Sequence, residues 1–117
     1  MKYLFGLIVV VILISSIYSL VSRKPQSVKN YDGFAQCLAD KKLTMYGAYW
    51  CPHCQNEKKI FGDSIKYVPY IECTQETKKC LDAGITSYPT WITATGQKYS
   101  GEQGLLGLSK ISGCVLP

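Results

Sequence analysis

Histidine occurs once in these 117 residues, at His53, and no internal repeat or low-complexity tract is present. That leaves no basis for a repeat architecture or for a metal centre built from histidines. Net charge is also scarce where a nucleic-acid surface would need it. The formal charge is +5, yet residues 31–117 hold nine Lys/Arg against eight Asp/Glu. The excess sits on Lys2, Arg23, Lys24 and Lys29, which flank an apolar segment and suit lipid headgroups. Nucleic-acid binding thereby loses its main electrostatic support.

Charge is missing altogether from Tyr3 to Val21, nineteen residues in which only three serines are small and polar. At about 1.5 Å per residue such a helix measures roughly 28 Å, close to the hydrocarbon thickness of a bilayer. A cleaved signal peptide is the alternative, but it calls for a shorter apolar core and small residues before the cut. The candidate cuts near Ser19 and Ser22 place Ile17 or Leu20 three residues upstream. Residues 1–22 are therefore expected to be a retained single-pass anchor, and 23–30, which include Pro25, a polar linker. The flanking charges lean by one residue towards a cytoplasmic domain. Six cysteines lean the other way, to an exoplasmic (periplasmic or lumenal) side where disulfides persist, and carry more weight.

From Tyr31 onward the pattern alternates. Tyr31, Phe34, Ala35, Leu38 and Ala39 recur at helical spacing up to Lys42, and LTMYGAYW (43–50) reads as a buried strand. Pro52 suits the first turn of a helix that should run to Gly62. YVPYIEC (67–73) is a strand, with Pro69 marking an irregular start or an edge. A short helix is expected over 76–83. A hairpin follows, 90–94 with 97–101 about Thr95-Gly96, and then a closing helix over 103–112 with Leu105, Leu106, Leu108 and Ile111 inward. One small α/β domain results.

YWCPHC (49–54) carries the chemistry. Cys51 precedes the expected helix and Cys54 lies one turn along it. A sulfur at a helix N-terminus meets backbone N–H groups and the positive end of the dipole, which favour the thiolate that attacks disulfides. Cys54 is within reach to resolve a mixed disulfide, and His53 can add positive charge beside Cys51, which would make the disulfide more oxidising. Zinc is a rival, because Cys51, Cys54, Cys73 and Cys80 have a ribbon-like gap, but the second pair is separated by six residues instead of two. A purely structural Cys51–Cys54 staple would close too small a loop to stabilise much. Haem attachment needs a histidine where Gln55 stands.

These residues resemble the thioredoxin superfamily. The strand leading into Trp50-Cys51-x-x-Cys54 is similar to its active-site entry, GITSYPTWI (84–92) to the segment carrying its cis-proline, and TGQKYSG (95–101) to its hairpin. MYGAYWCPHC, IEC, SYPTWI and YSGEQGL look like the thioredoxin-like domain fused to bacterial and plant vitamin K epoxide reductase homologues, and Pro52-His53 resembles DsbA-type oxidases. The resemblance covers 31–117. It implies a thioredoxin-like fold and a protein-disulfide oxidoreductase needing no cofactor or metal. It also implies thiol- or disulfide-containing protein substrates and a membrane-embedded, quinone-coupled partner of the vitamin K epoxide reductase or DsbB kind. Pro89 would be the cis-proline, and Trp50 and Tyr88 would border the substrate groove. From residues alone, Trp50 and Tyr49 could equally be core aromatics, and Pro89 an ordinary loop proline. The family places a carboxylate six residues before its first cysteine, where this chain has Met45.

The resemblance also implies a Cys73–Cys80 disulfide and lets Cys37 and Cys114 approach; either pair could be reduced, and Cys73–Cys80 could pass electrons to Cys51–Cys54. A disulfide reductase or isomerase, and a non-catalytic binding or chaperone domain, are the alternative functions. A binder would keep its activity as Cys51→Ser.

Overall fold

The computed structural model describes residues 1–21 and 29–117. Most of the expected linker, 23–28, lies outside them, as does residue 22; residues 29 and 30 are irregular and exposed. Helix α1, Lys2–Val21, carries the apolar run, and its side chains through Ser19 are exposed. It is one helix long and apolar enough to cross a membrane, with a mean hydropathy of 2.0 over Lys2–Ser19.

The rest is mixed α/β, as the alternating pattern predicts. Helix α2 (Asp32–Asp40) leads to strand β1 (Thr44–Gly47), then helix α3 (Pro52–Lys59), a 3-10 helix (Gly62–Tyr67) and β2 (Tyr70–Glu72). Helix α4 (Thr77–Asp82), strands β3 (Thr90–Ile92) and β4 (Lys98–Ser100) and helix α5 (Gly104–Ser112) complete it. The four strands form one sheet in the order β2-β1-β3-β4. β1 runs parallel to β2 and antiparallel to β3, which pairs antiparallel with β4. Pro69 enters β2, an edge strand, and its carbonyl accepts from the Met45 N–H at 2.9 Å.

Alternation along the strands decides what faces α3. Met45 stands opposite Tyr70 and Trp91, and Gly47 opposite Glu72, so these five residues share one side of the sheet. Trp91 is fully buried and belongs to a core cluster that also holds Phe34, Leu38, Leu43, Met45, Phe61 and Leu108. Replacing it with alanine would cost about 3–5 kcal/mol.

Three expectations are corrected. The strand expected over 43–50 stops at Gly47, because its partners are three residues long and the chain must turn to present Cys51; the Cys51 N–H closes that turn on the Ala48 carbonyl at 3.1 Å. The helix expected to reach Gly62 ends at Lys59; Phe61, 1% exposed, stacks on Phe34 just before the 3-10 helix begins. Leu106 points outward, 63% exposed, while Leu108 is buried and Leu105 and Ile111 are half-buried. A nine-residue helix has one narrow inner stripe, and Leu105 and Leu108 fill it.

Candidate active site

Cys51 is the N-cap of α3 and Pro52 its first residue. The Cys51 sulfur accepts from the Cys54 backbone N–H at 3.3 Å, the contact a helix N-terminus offers a sulfur at this position. On its other side the Cys51 thiol donates to the Tyr88 carbonyl at 3.7 Å. The Tyr88–Pro89 bond is cis, and the Pro89 carbonyl accepts from the Gly101 N–H at 2.7 Å. The chain segment around Pro89 is thus brought directly against the cysteine pair.

Both thiols are free and both residues are buried. Burial, followed by the hydrogen bond with Cys51, pushes the Cys54 thiol up to about 12. The remaining cysteines are paired, Cys37 with Cys114 and Cys73 with Cys80. The second bond removes two of the four sulfurs a zinc ribbon would need.

Aromatic side chains rim the pair. Trp50 is 58% exposed and meets Tyr88 edge to face, with ring centroids 6.0 Å apart; Tyr49 is exposed beside it. Neither Trp50 nor Tyr49 is a core residue, so the core-aromatic alternative fails for both. His53 is exposed and turned to Glu102, its Nδ1 lying 2.7 Å from Oε1. Asn56 donates to the same oxygen at 3.3 Å. The hydrogen bond to His53 holds the Glu102 carboxyl below its ordinary value.

Several residues of this site escape the sequence reading. Glu57, 1% exposed in α3, accepts from the Trp91 indole N–H at 3.0 Å and from the Gln103 and Gly104 N–H groups at 2.9 and 3.2 Å. It caps α5 from a different element and fastens α3 to β3. In the charged run QNEKK it reads as a solvated helix face, and nothing local distinguishes it. Tyr70 and Glu72 did carry a signal: they are two apart on a strand, and so on one side of it. Tyr70 donates to Glu72 Oε2 at 2.6 Å, and the Lys58 ammonium sits 3.4 Å from the Tyr70 ring centroid.

No family model matches the chain. Part of it is 40% identical, over 81 residues, to "Thiol-disulfide oxidoreductase LTO1" of Arabidopsis thaliana; the match takes in 62% of this chain and 21% of that protein. The chain thus spans about a fifth of the length of the curated relative it matches.

Proposed function

We propose that residues 31–117 are a thioredoxin-like protein-disulfide oxidoreductase domain that exchanges disulfides through Cys51 and Cys54. α1 anchors it to a membrane with the domain on the exoplasmic side. The carrying observation is the free Cys51/Cys54 pair at the head of α3, set against the carbonyl that precedes cis-Pro89, while all four other cysteines are already bonded. The resemblance to a named thiol–disulfide oxidoreductase supports it.

In the oxidising direction a substrate thiolate attacks the Cys51 sulfur of the Cys51–Cys54 disulfide. The S–S bond breaks, Cys54 leaves as a thiolate and takes a proton from water. A second substrate thiolate then attacks the substrate sulfur of the mixed disulfide and expels the Cys51 thiolate. The substrate has lost two electrons and the pair has gained them. A disulfide of a quinone-coupled membrane protein, of the vitamin K epoxide reductase or DsbB kind, reoxidises the pair. His53 raises the oxidising power, and Trp50, Tyr88 and Pro89 shape the groove in which an extended substrate lies.

The test is a trap. Cys54→Ser should accumulate a reductant-sensitive complex with a membrane protein on non-reducing gels, and Cys51→Ser should not. Trapping by neither variant, together with undiminished client binding by Cys51→Ser, would leave a binding domain instead.

A further inference from the structure

Cys54 must shed its proton before it can attack a disulfide, and its surroundings decide how readily it does so. The sheet under it is apolar at Met45, which is fully buried. The polar groups stand one strand over, on the same side of the sheet, where Tyr70 faces Met45 and Glu72 faces Gly47 in register. Gly47 opens the space between. A Cβ at Gly47 would lie 2.8 Å from the Cys54 sulfur, 3.2 Å from the Tyr70 ring and 3.4 Å from its hydroxyl. The sulfur and the phenol therefore abut the same bare stretch of backbone.

A thiolate at this spot needs hydrogen-bond donors. The Tyr70 hydroxyl has a single hydrogen, and it is committed to Glu72 Oε2 at 2.6 Å. Glu72 is itself held firmly: its Oε1 accepts from the Tyr49 N–H at 3.2 Å, the Thr74 N–H at 3.3 Å and the Thr74 hydroxyl at 2.7 Å. Burial works to raise the Glu72 carboxyl, but the bonds from Tyr70, Thr74 and Tyr49 outweigh it and keep it below its ordinary value. An anion so held is a poor base for a thiol pushed up to about 12, and it keeps the phenol hydrogen on itself. The titratable and charged groups facing the pair are Cys51 and Lys58 from the α3 side and Glu72 from β2; Glu57 is turned away to Trp91 and α5.

We propose that Glu72 is a positioning residue: by fixing the Tyr70 hydroxyl on itself it withholds that hydrogen from Cys54, keeping Cys54 a neutral thiol that resolves mixed disulfides slowly. The proposal deepens the dithiol exchange proposed above and rests on it. In the step it slows, water takes the Cys54 proton and the Cys54 sulfur attacks Cys51. The Cys51–Cys54 bond forms as the Cys51–substrate bond breaks, and the substrate sulfur departs with the electron pair and is protonated by water. A slow second cysteine lengthens the life of the mixed disulfide and leaves time for a second substrate thiol to arrive.

The full chain in detergent micelles, with Cys51 and Cys54 reduced and two thiols counted, is mixed with one equivalent of 5,5′-dithiobis(2-nitrobenzoate). The first release of nitrothiobenzoate reports attack by Cys51, and the second reports resolution by Cys54. Glu72→Gln keeps an acceptor for Tyr49 and Thr74 but drops the charge and frees the phenol hydrogen. It should accelerate the second release about tenfold near neutral pH and shift its pH profile about one unit down, with the first release kept within about twofold. In a Tyr70→Phe background Glu72→Gln should lose most of this acceleration. A second release that is slowed or unchanged in Glu72→Gln overturns the proposal, as does an acceleration that survives in full without the Tyr70 hydroxyl. Absence of any fast first release in the unaltered chain removes the dithiol exchange itself, and the proposal with it.

Discussion

At the scale of single residues, Cys54 links the site to stability. Its thiol is raised from 9.0 to about 12, so the fold favours the neutral form. That contribution is complete below about pH 9 and is lost as pH climbs towards about 12, because the unfolded chain ionises first. The reduced protein should therefore lose stability over this window faster than the oxidised protein, which has no thiol there. Urea midpoints that fall in parallel for the two redox forms would contradict it. Gly47 gives a second expectation. Gly47→Ala puts a methyl group against the Cys54 sulfur and the Tyr70 ring and should cost about 1–3 kcal/mol in chemical denaturation. Gly33→Ala, with nothing within 4 Å of the added carbon, should be neutral or slightly stabilising. His53 supplies a third. His53→Pro should make the pair more reducing by about 30 mV, a tenfold change in the exchange constant, read against a glutathione buffer. An unchanged potential would mean that the contact with Glu102 occupies His53 fully.

At the scale of elements, the hold of α3 on the rest of the site depends on Glu57. Removing its carboxylate in Glu57→Ala leaves the Trp91 indole and the amides of Gln103 and Gly104 without their acceptor. A loss of about 2–4 kcal/mol in denaturant stability is expected, largely recovered in Glu57→Gln. A loss below about 1 kcal/mol would show that water replaces the carboxylate. Legibility follows the same division. The apolar periodicity of Phe34, Ala35 and Leu38 and the punctuation at Pro52, Pro69 and Gly96 locate elements, because they act over a few residues. Strand ends depend on partners distant in sequence, which is why β1 is four residues long and not eight. The 3-10 helix has no periodic signature, and the outward turn of Leu106 depends on where its neighbours Leu105 and Leu108 already pack. The site divides likewise: Cys51, Cys54 and His53 are contiguous and legible, whereas Glu57 and Glu102 gain their roles from partners more than thirty residues away.

At the scale of the molecule, two covalent and physical ties matter. The Cys37–Cys114 bond joins α2 to the segment after α5, where Gly113 adopts a φ of 76° and turns the chain back. Cys37→Ser with Cys114→Ser should lower stability by about 4 kcal/mol, on loop-closure grounds, as read from the denaturant midpoint. α1, long and apolar enough to cross a membrane, is the other tie we propose. The full chain should resist alkaline carbonate extraction from membranes, whereas residues 23–117 alone should be released; extraction of the full chain would refute the anchor.

The bond between Cys37 and Cys114 also has a history in time. A chain made from its N-terminus exposes Cys37 long before Cys114, which lies 77 residues further on. Cys51 and Cys54 arrive in the interval, and the shorter loops they offer close more readily. Where an outside disulfide oxidises a chain that has reached Cys54 and not Cys114, the shorter loops favour a wrong bond between Cys37 and the proposed active pair, the outside disulfide being reduced to two thiols. Forming the Cys37–Cys114 bond then takes a disulfide exchange, once Cys114 lies beside α2. Until that exchange is made the proposed active pair is blocked, so the domain would be a client of disulfide exchange before it is an agent of it.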